Sequence, residues 1–284
     1  MGLKYTFSGH ESFPCKSLWL KKGYDFVAGN NDFNSPNSVV ELGVGKNMVS
    51  SIRYWMKSFG MLANNELTPL AHYIFNDKEG KDPFVEDLGT LWLLHYLLVI
   101  SQEATLYNWL FTRFQRERKQ FDRQQVQDYV KRVLIEDDKL NIYNVNTVKK
   151  DVAVLIQNYV LPKSEKSFED FSSLLIDLDL LHSTEDSKKY YFNYSGKRKV
   201  TPEMFLYAIT VNKGSEMTVS YDMLQDIGLI FCMNDMEVIT MSKQLSAYYS
   251  DYISYSDVAG IRQIQYKQEI IPQEILEMYY SHGI

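Results

Sequence analysis

The chain has 284 residues, 45% of them hydrophobic, with 21 Tyr and 15 Phe, which is ample material for two or three packed domains and excludes disorder over most of its length. A net charge of −6 excludes a protein coated in nucleic acid along its length, and no apolar run approaches the roughly 20 residues of a membrane span. The opening MGLKYTFSGHESF lacks the basic-then-apolar order of a secretory signal, and the only cysteines, Cys15 and Cys232, read as free thiols in a reducing compartment, so the chain is predicted to be cytoplasmic.

Charge is uneven along the chain. Residues 1–60 carry seven Lys/Arg against four Asp/Glu, whereas residues 201–284 carry four against eleven. Any DNA-facing surface is therefore expected in the N-terminal half, and the acidic C-terminal part reads as solvated or protein-facing.

The first predicted domain, residues 1–80, opens with an aromatic segment and the polar loop GNNDFNSPNS. A short helix, a glycine-containing turn and a longer helix then follow in SVVELGVGKNMVSSIRYWMKSFGML. Val49, Ile52, Trp55, Met56 and Phe59 fall on one face of the longer helix, and Gly60 stops it. The second domain, 81–162, is helical. LGTLWLLHYLLVI is apolar nearly all round and predicts a buried helix, with Glu86 and Asp87 placed to cap it. RFQRERKQFDRQQVQDYVKRVL predicts a charged surface helix.

The third domain, 163–284, follows the linker LPKSEKS. FEDFSSLLIDLDLLHST reads as a helix running into a strand, and KKYYFNYSGKRK as a hairpin turning at Ser195–Gly196. TPEMFLYAI reads as a helix with Pro in its first turn, and DIGLIFCMNDMEVITM as two strands around Asn234–Asp235. A helix followed by a two-stranded wing is the winged-helix layout. The expected fold is thus mainly α with short β wings: tandem winged-helix or helix-turn-helix modules around a helical middle region.

The segment Ser38–Leu62 carries the strongest functional signal. Readout of DNA needs a helix whose first side chains reach base edges while its other face packs on a supporting helix. Gly43 and Gly45 bracket the turn, and Lys46, Asn47, Ser50 and Arg53 occupy the exposed side of the second helix. Lys46 and Arg53 suit phosphate or guanine, and Asn47 suits an adenine edge. The competing reading is a helical hairpin that serves as a protein scaffold. LGVGKNMVSS is not a phosphate-binding loop, because it lacks the four-residue gap of that motif and its magnesium-binding hydroxyl.

Three further features have paired readings. His10 and Glu11, in FSGHESFPCKSLWLKKG, either hydrogen-bond a neighbouring turn or supply polar chemistry from a loop. His95 in the apolar helix reads as a satisfied core residue. The seven Lys/Arg of residues 113–132, set against three acids, either track a phosphate backbone or lace a solvated face with ion pairs. No Ser-His-Asp spacing, HExxH or paired-Cys motif is present.

In order and spacing, FSGHESFPCKSLWLKKG, VVELGVGKNMVSSIRYW, FVEDLGTLWLLHYLL and TVKKDVAVLIQNYV resemble a bacterial family of unknown function. Members are encoded beside DNA phosphorothioation genes and include the Ssp-type DNA-nicking component of those systems. The family's phrases fall on Gly9, His10 and Glu11 with Trp19 and Lys22, on Leu42 to Asn47 with Arg53 and Trp55, on Glu86, Asp87 and Leu91 to His95, and on Lys150, Asp151 and Val152. An arginine associated with the first phrase is Lys16 here, a weaker fork for phosphate.

The resemblance implies a DNA-binding protein of a phosphorothioation-type modification and phage-defence system, with DNA and other proteins of that system as partners. It implies single-strand nicking with His10 and Glu11 as catalytic residues and a divalent metal such as magnesium as cofactor. Lys16 and Lys22 would join Lys46, Asn47, Ser50 and Arg53 in holding DNA. The alternative it leaves open is a non-catalytic adaptor or regulator-like scaffold that docks sulfur-transfer partners on DNA.

Overall fold

The computed structural model describes residues 4–162, 173–186, 188–258 and 260–281. Helices make up 53% and the sheets are small and antiparallel, so the chain is mainly α, as expected. No helix among the described residues is long and apolar enough to cross a membrane. The chain divides into two compact units, Met1–Asn193 and Tyr194–Ile284.

The first unit begins with α1 (Trp19–Ala28), α2 (Ser38–Leu42) and α3 (Lys46–Ser58), followed by a hairpin of β1 (Leu62–Ala63) and β2 (Glu66–Leu67). Asn64 and Asn65 turn the hairpin with φ of 50° and 67°, the left-handed pair that a two-residue turn between right-twisted strands needs. Val49, Ile52, Trp55, Met56 and Phe59 are all buried, the face expected of them, and they seat α3 on α1. α4 (Pro69–Phe75) starts on Thr68, whose hydroxyl accepts from Ala71 N–H. α5 (Leu88–Ile100) is the apolar helix, with ten of its thirteen residues buried, and Asp87 caps it by accepting from Thr90 N–H.

The expected charged helix at 113–132 is instead broken. α6 (Thr105–Trp109) passes through a π-turn at Leu110–Phe114 into α7 (Gln115–Glu117), then β3 (Gln120–Phe121). α8 (Arg123–Glu136) starts afresh on Asp122, which exchanges side-chain bonds with Gln125 in a capping box. The break buries Phe114 and Phe121, which an unbroken solvated helix would leave half wet. α9 (Val145–Tyr159) follows, capped by Asn144. β4 (Leu181–Ser183) and β5 (Tyr190–Phe192) complete a sheet of order β3-β5-β4. The helix expected to lead into β4 lies partly outside the described residues, as do residues 163–167 of the linker; the part that is described contains a 3-10 turn, Ile176–Leu178. β5 pairs with β4 and β3, not with an arm across Ser195–Gly196, so that expected hairpin is corrected.

The second unit comprises α10 (Pro202–Lys213), β6 (Thr218–Ser220), α11 (Tyr221–Ile230), α12 (Asp235–Tyr248), β7 (Ile253–Val258), β8 (Ile261–Tyr266) and α13 (Pro272–Ser281), with sheet order β6-β8-β7. The two strands expected around Asn234–Asp235 are helices. Leu224, Ile227 and Gly228 bury one face of α11, and Asn234 with Glu237 forms the capping box that starts α12. The hairpin lies further on, in Ile253–Tyr266. The same order of elements therefore occurs in both units: helix, strand, two helices and a hairpin whose second strand pairs with the first strand.

Candidate nucleic-acid interface

α2 and α3 are joined across Gly43, whose φ of 62° makes the turn, and Gly45, the N-cap of α3. Lys46, Ser50, Arg53 and Lys57 repeat along one stripe of α3, and Lys46, Asn47 and Ser50 are exposed. α3 has no acidic residue and no side-chain cap, so its first N–H groups and the positive end of its dipole face outward beside Lys46. Gly45 has an ordinary φ of −65°, and a Cβ there would meet nothing within 4 Å. Neither conformation nor packing requires glycine at that position; an open backbone that a ligand can approach is what glycine leaves there.

Arg53 is half-buried and already held. One terminal nitrogen donates to Asn34 Oδ1 and the other to Asn65 Oδ1, each at 2.8 Å. It thus ties the loop before α2 and the β1–β2 hairpin to α3, with further N–H bonds left to give. Lys22, on α1, donates to the Leu42 carbonyl at 3.0 Å and closes the C-terminal end of α2. Lys16 is not on α3; its backbone bridges to Ser173 and its side chain lines a separate cleft.

His10 and Glu11 part company. His10 is 4% exposed and sits between helices. Its Nδ1 accepts from Ser12 N–H at 3.2 Å, which puts the ring proton on Nε2, where it is donated to Asp151 Oδ1 at 2.8 Å. The other Asp151 oxygen accepts from Ser8 N–H at 2.9 Å. Ser51 Oγ, on α3, donates to the His10 carbonyl at 2.7 Å, and Trp55 Nε1 donates to the Phe13 carbonyl. Cys15 N–H donates to Asn158 Oδ1, on α9, whose amide donates to Tyr107 Oη at 2.6 Å. Residues 8–15 are therefore a polar strap between α3 and α9.

The strap is conformationally forced. Ser8, Glu11 and Ser12 have φ of 71°, 46° and 68°, and each such non-glycine residue costs about 1–3 kcal/mol. Gly9, at φ 106°, lies so close to Tyr54 that a Cβ would fall 2.5 Å from the ring. Burial pushes the phenols of Tyr54 and Tyr107 beneath the strap well above their usual range. Glu11 itself is exposed.

Magnesium takes a near-octahedral set of oxygens. Both Asp151 oxygens are engaged by N–H donors, Glu11 is on the solvent side, and no group of three or more His, Cys, Asp or Glu suited to a metal occurs among the described residues. The residues around His10 do not fit a divalent ion.

His95 is fully buried on α5 and shares a 2.8 Å hydrogen bond with Tyr159 Oη, the core role expected of it. Asn34 and Asn65 went unassigned in the sequence. Asn64–Asn65 carries a readable turn signal, whereas nothing local marks Asn34.

The fold is that of a mainly α protein in two units, with small antiparallel sheets. Residues 7–280 match the family described as protein of unknown function (DUF4007), and the chain belongs to that family. No curated protein matches it in sequence. Among solved structures it resembles the SspB crystal structure, at 22% identity over 97% of this chain and 88% of that one, with a TM-score of 0.85. The magnesium ion-bound SspB crystal structure is similar at 21% identity with the same coverage and a TM-score of 0.83. At that identity the likeness speaks for the fold.

Proposed function

We propose that the protein binds duplex DNA by seating α3 in the major groove, as the DNA-engaging part of an Ssp-type, phosphorothioation-associated modification and defence system. In this reading Lys46 meets phosphate, Asn47 and Ser50 meet base edges, and Arg53 positions the β1–β2 hairpin as a wing against the flanking backbone. The observation that carries it is the acid-free, uncapped start of α3, exposed on one side and packed through Trp55 on the other. The recurring order helix, strand, two helices and hairpin supports tandem winged-helix modules. Other proteins of the system are the partners, with magnesium assigned no place around His10. Fluorescence anisotropy on a 20-bp duplex tests this: Asn47→Ala should weaken binding while leaving the melting temperature unchanged, and equal affinity would sink it.

Single-strand nicking is the second reading, favoured by Glu11, an exposed carboxylate on a strained strap beside His10. It predicts that Glu11→Gln abolishes relaxation of supercoiled plasmid. The adaptor reading, in which His10 only ties the strap, predicts that Glu11→Gln changes nothing.

A further inference from the structure

The sheet of the first unit, in the order β3-β5-β4, has two unlike faces. Phe121, Tyr190, Phe192 and Leu181 are buried on its inner side. The alternate residues turn outward, and the register sets Gln120, Tyr191 and His182 side by side across the three strands. Tyr191 is 37% exposed and stands directly opposite His182. Lys189, two residues before Tyr191, is exposed too, and its carbonyl accepts from Thr184 N–H, which continues the ladder. The strand repeat therefore puts Lys189 on the same face, its Cα about 7 Å from that of Tyr191. Of the acids in the adjoining turn, Asp186 is turned to Thr184 Oγ1 and Lys188 N–H.

Three polar groups are linked in line on this outer face. His182 Nε2 lies 2.6 Å from Asp179 Oδ1, and His182 Nδ1 lies 3.3 Å from Tyr191 Oη. A carboxylate only accepts, so the ring proton sits on Nε2 and Nδ1 keeps its lone pair for the phenol proton. Asn193 Nδ2 is 3.3 Å from the same Nε2 but has Asp179 acceptors nearer, the carbonyl at 2.8 Å and Oδ2 at 3.2 Å. Asp179 is thus bonded through both oxygens, and it holds a left-handed φ of 57° after the 3-10 turn Ile176–Leu178. A histidine and a tyrosine that merely packed across two strands would need no third member. A hydroxyl, a base and a carboxylate that fixes the tautomer of the base are the order of groups that activates a nucleophile.

We propose that Tyr191 is a nucleophile toward a phosphodiester, with His182 as its general base and Asp179 as the residue that positions the base. The open sheet face admits a strand, and Lys189 supplies positive charge for the non-bridging oxygens as the new bond forms. The Tyr191 Oη–P bond forms while one P–O bond of the strand breaks. The phenol proton passes to His182 Nδ1 and from there to the departing alkoxide, which leaves as a hydroxyl. The step is redox-neutral, and its product is a nicked strand joined to Tyr191 as an aryl phosphodiester. This site rests on the reading that the protein cuts one strand, and it moves the cut from the strap to the β3-β5-β4 sheet.

The test uses the full chain in EDTA with two probes: thymidine 5′-(4-nitrophenyl phosphate), an activated phosphodiester that needs no DNA binding by α3, and end-labelled plasmid or oligonucleotide DNA. Wild type should release a stoichiometric burst of nitrophenolate and leave a labelled band that resists SDS. Tyr191→Phe, which keeps the ring on the sheet, should abolish both at an unchanged melting temperature. His182→Ala should slow the burst roughly 10²–10⁴-fold, and added imidazole should restore part of it, which it would not do for a histidine that only packs. Asp179→Asn should slow the burst as well, yet add little in the His182→Ala background, because the two act as one unit. No burst and no adduct in folded wild type, or an adduct that survives Tyr191→Phe, would overturn the site. Nicking that needs a metal, leaves no adduct and disappears in Glu11→Gln would overturn it too while sustaining strand cleavage from the strap.

Discussion

Replacing Asp151 tests whether the strap is held as its geometry implies. Asp151→Ala removes two hydrogen bonds to a buried carboxylate, from His10 Nε2 at 2.8 Å and Ser8 N–H at 2.9 Å, and leaves both donors orphaned. Hydrogen bonds to a charged group contribute about 1.5–3 kcal/mol each, so the loss should be about 3–6 kcal/mol. For a unit of this size each kcal/mol shifts the melting temperature by about 2–4 °C, which gives a fall of roughly 6–24 °C. Asp151→Asn keeps one acceptor oxygen but turns an NH2 toward the other donor, and it should cost about 1–3 kcal/mol. All four tryptophans, Trp19, Trp55, Trp92 and Trp109, lie in the first unit, so tryptophan fluorescence follows the melting of that unit alone. The His10→Ala, Asp151→Ala double variant should lose much less than the sum of the singles, because both remove the same bond. A melting temperature of Asp151→Ala within 2 °C of wild type would refute the strap, and a loss of plasmid nicking at unchanged stability would mark the pair as catalytic.

Two further outcomes are expected. Trp55, fully buried against Phe59 and Tyr107 and donating to the Phe13 carbonyl, should cost about 3–5 kcal/mol when changed to Ala and should reduce DNA binding in parallel; lost binding at unchanged stability would place it against the ligand. Burial pushes the Cys232 thiol from 9.0 up to about 12 and the Cys15 thiol well up as well. Below about pH 9 the folded and unfolded states hold these protons equally. Above it the unfolded chain releases protons that the fold retains, so stability should fall between pH 9 and 12, and Cys232→Ser should flatten that fall in urea titrations.

How much was legible follows from how local each signal is. The helices at Ser38–Leu42 and Lys46–Ser58 were readable because their turn glycines and the 3.6-residue spacing of Val49, Ile52 and Trp55 lie within one segment. α5 was readable because it is apolar all round. α11 and α12 were misread as strands because Ile227, Ile230, Phe231, Val238 and Ile239 favour strands by type; the decisive signal was the Asn234–Glu237 capping box, which outweighs that preference. The strands of two or three residues carry no period long enough to detect, and the sheets they form join segments far apart, Phe121 with Tyr190 for one. The His10–Asp151 bond spans 141 positions, so neither residue advertises the other. The resemblance marks both phrases but implies chemistry only for His10 and Glu11; the meeting of His10 with Asp151 in the core supplies a packing reason for both phrases.

The central claim is that α3 holds DNA by charge and shape. The most direct test is the salt dependence of duplex binding by wild type and by Lys46→Gln. If Lys46 meets a phosphate, the slope of log K against log salt should fall by about 1 in the variant, with binding weakened about equally on all sequences. A slope unchanged by the substitution, or binding by residues 194–284 as tight as that of the full chain, would contradict it.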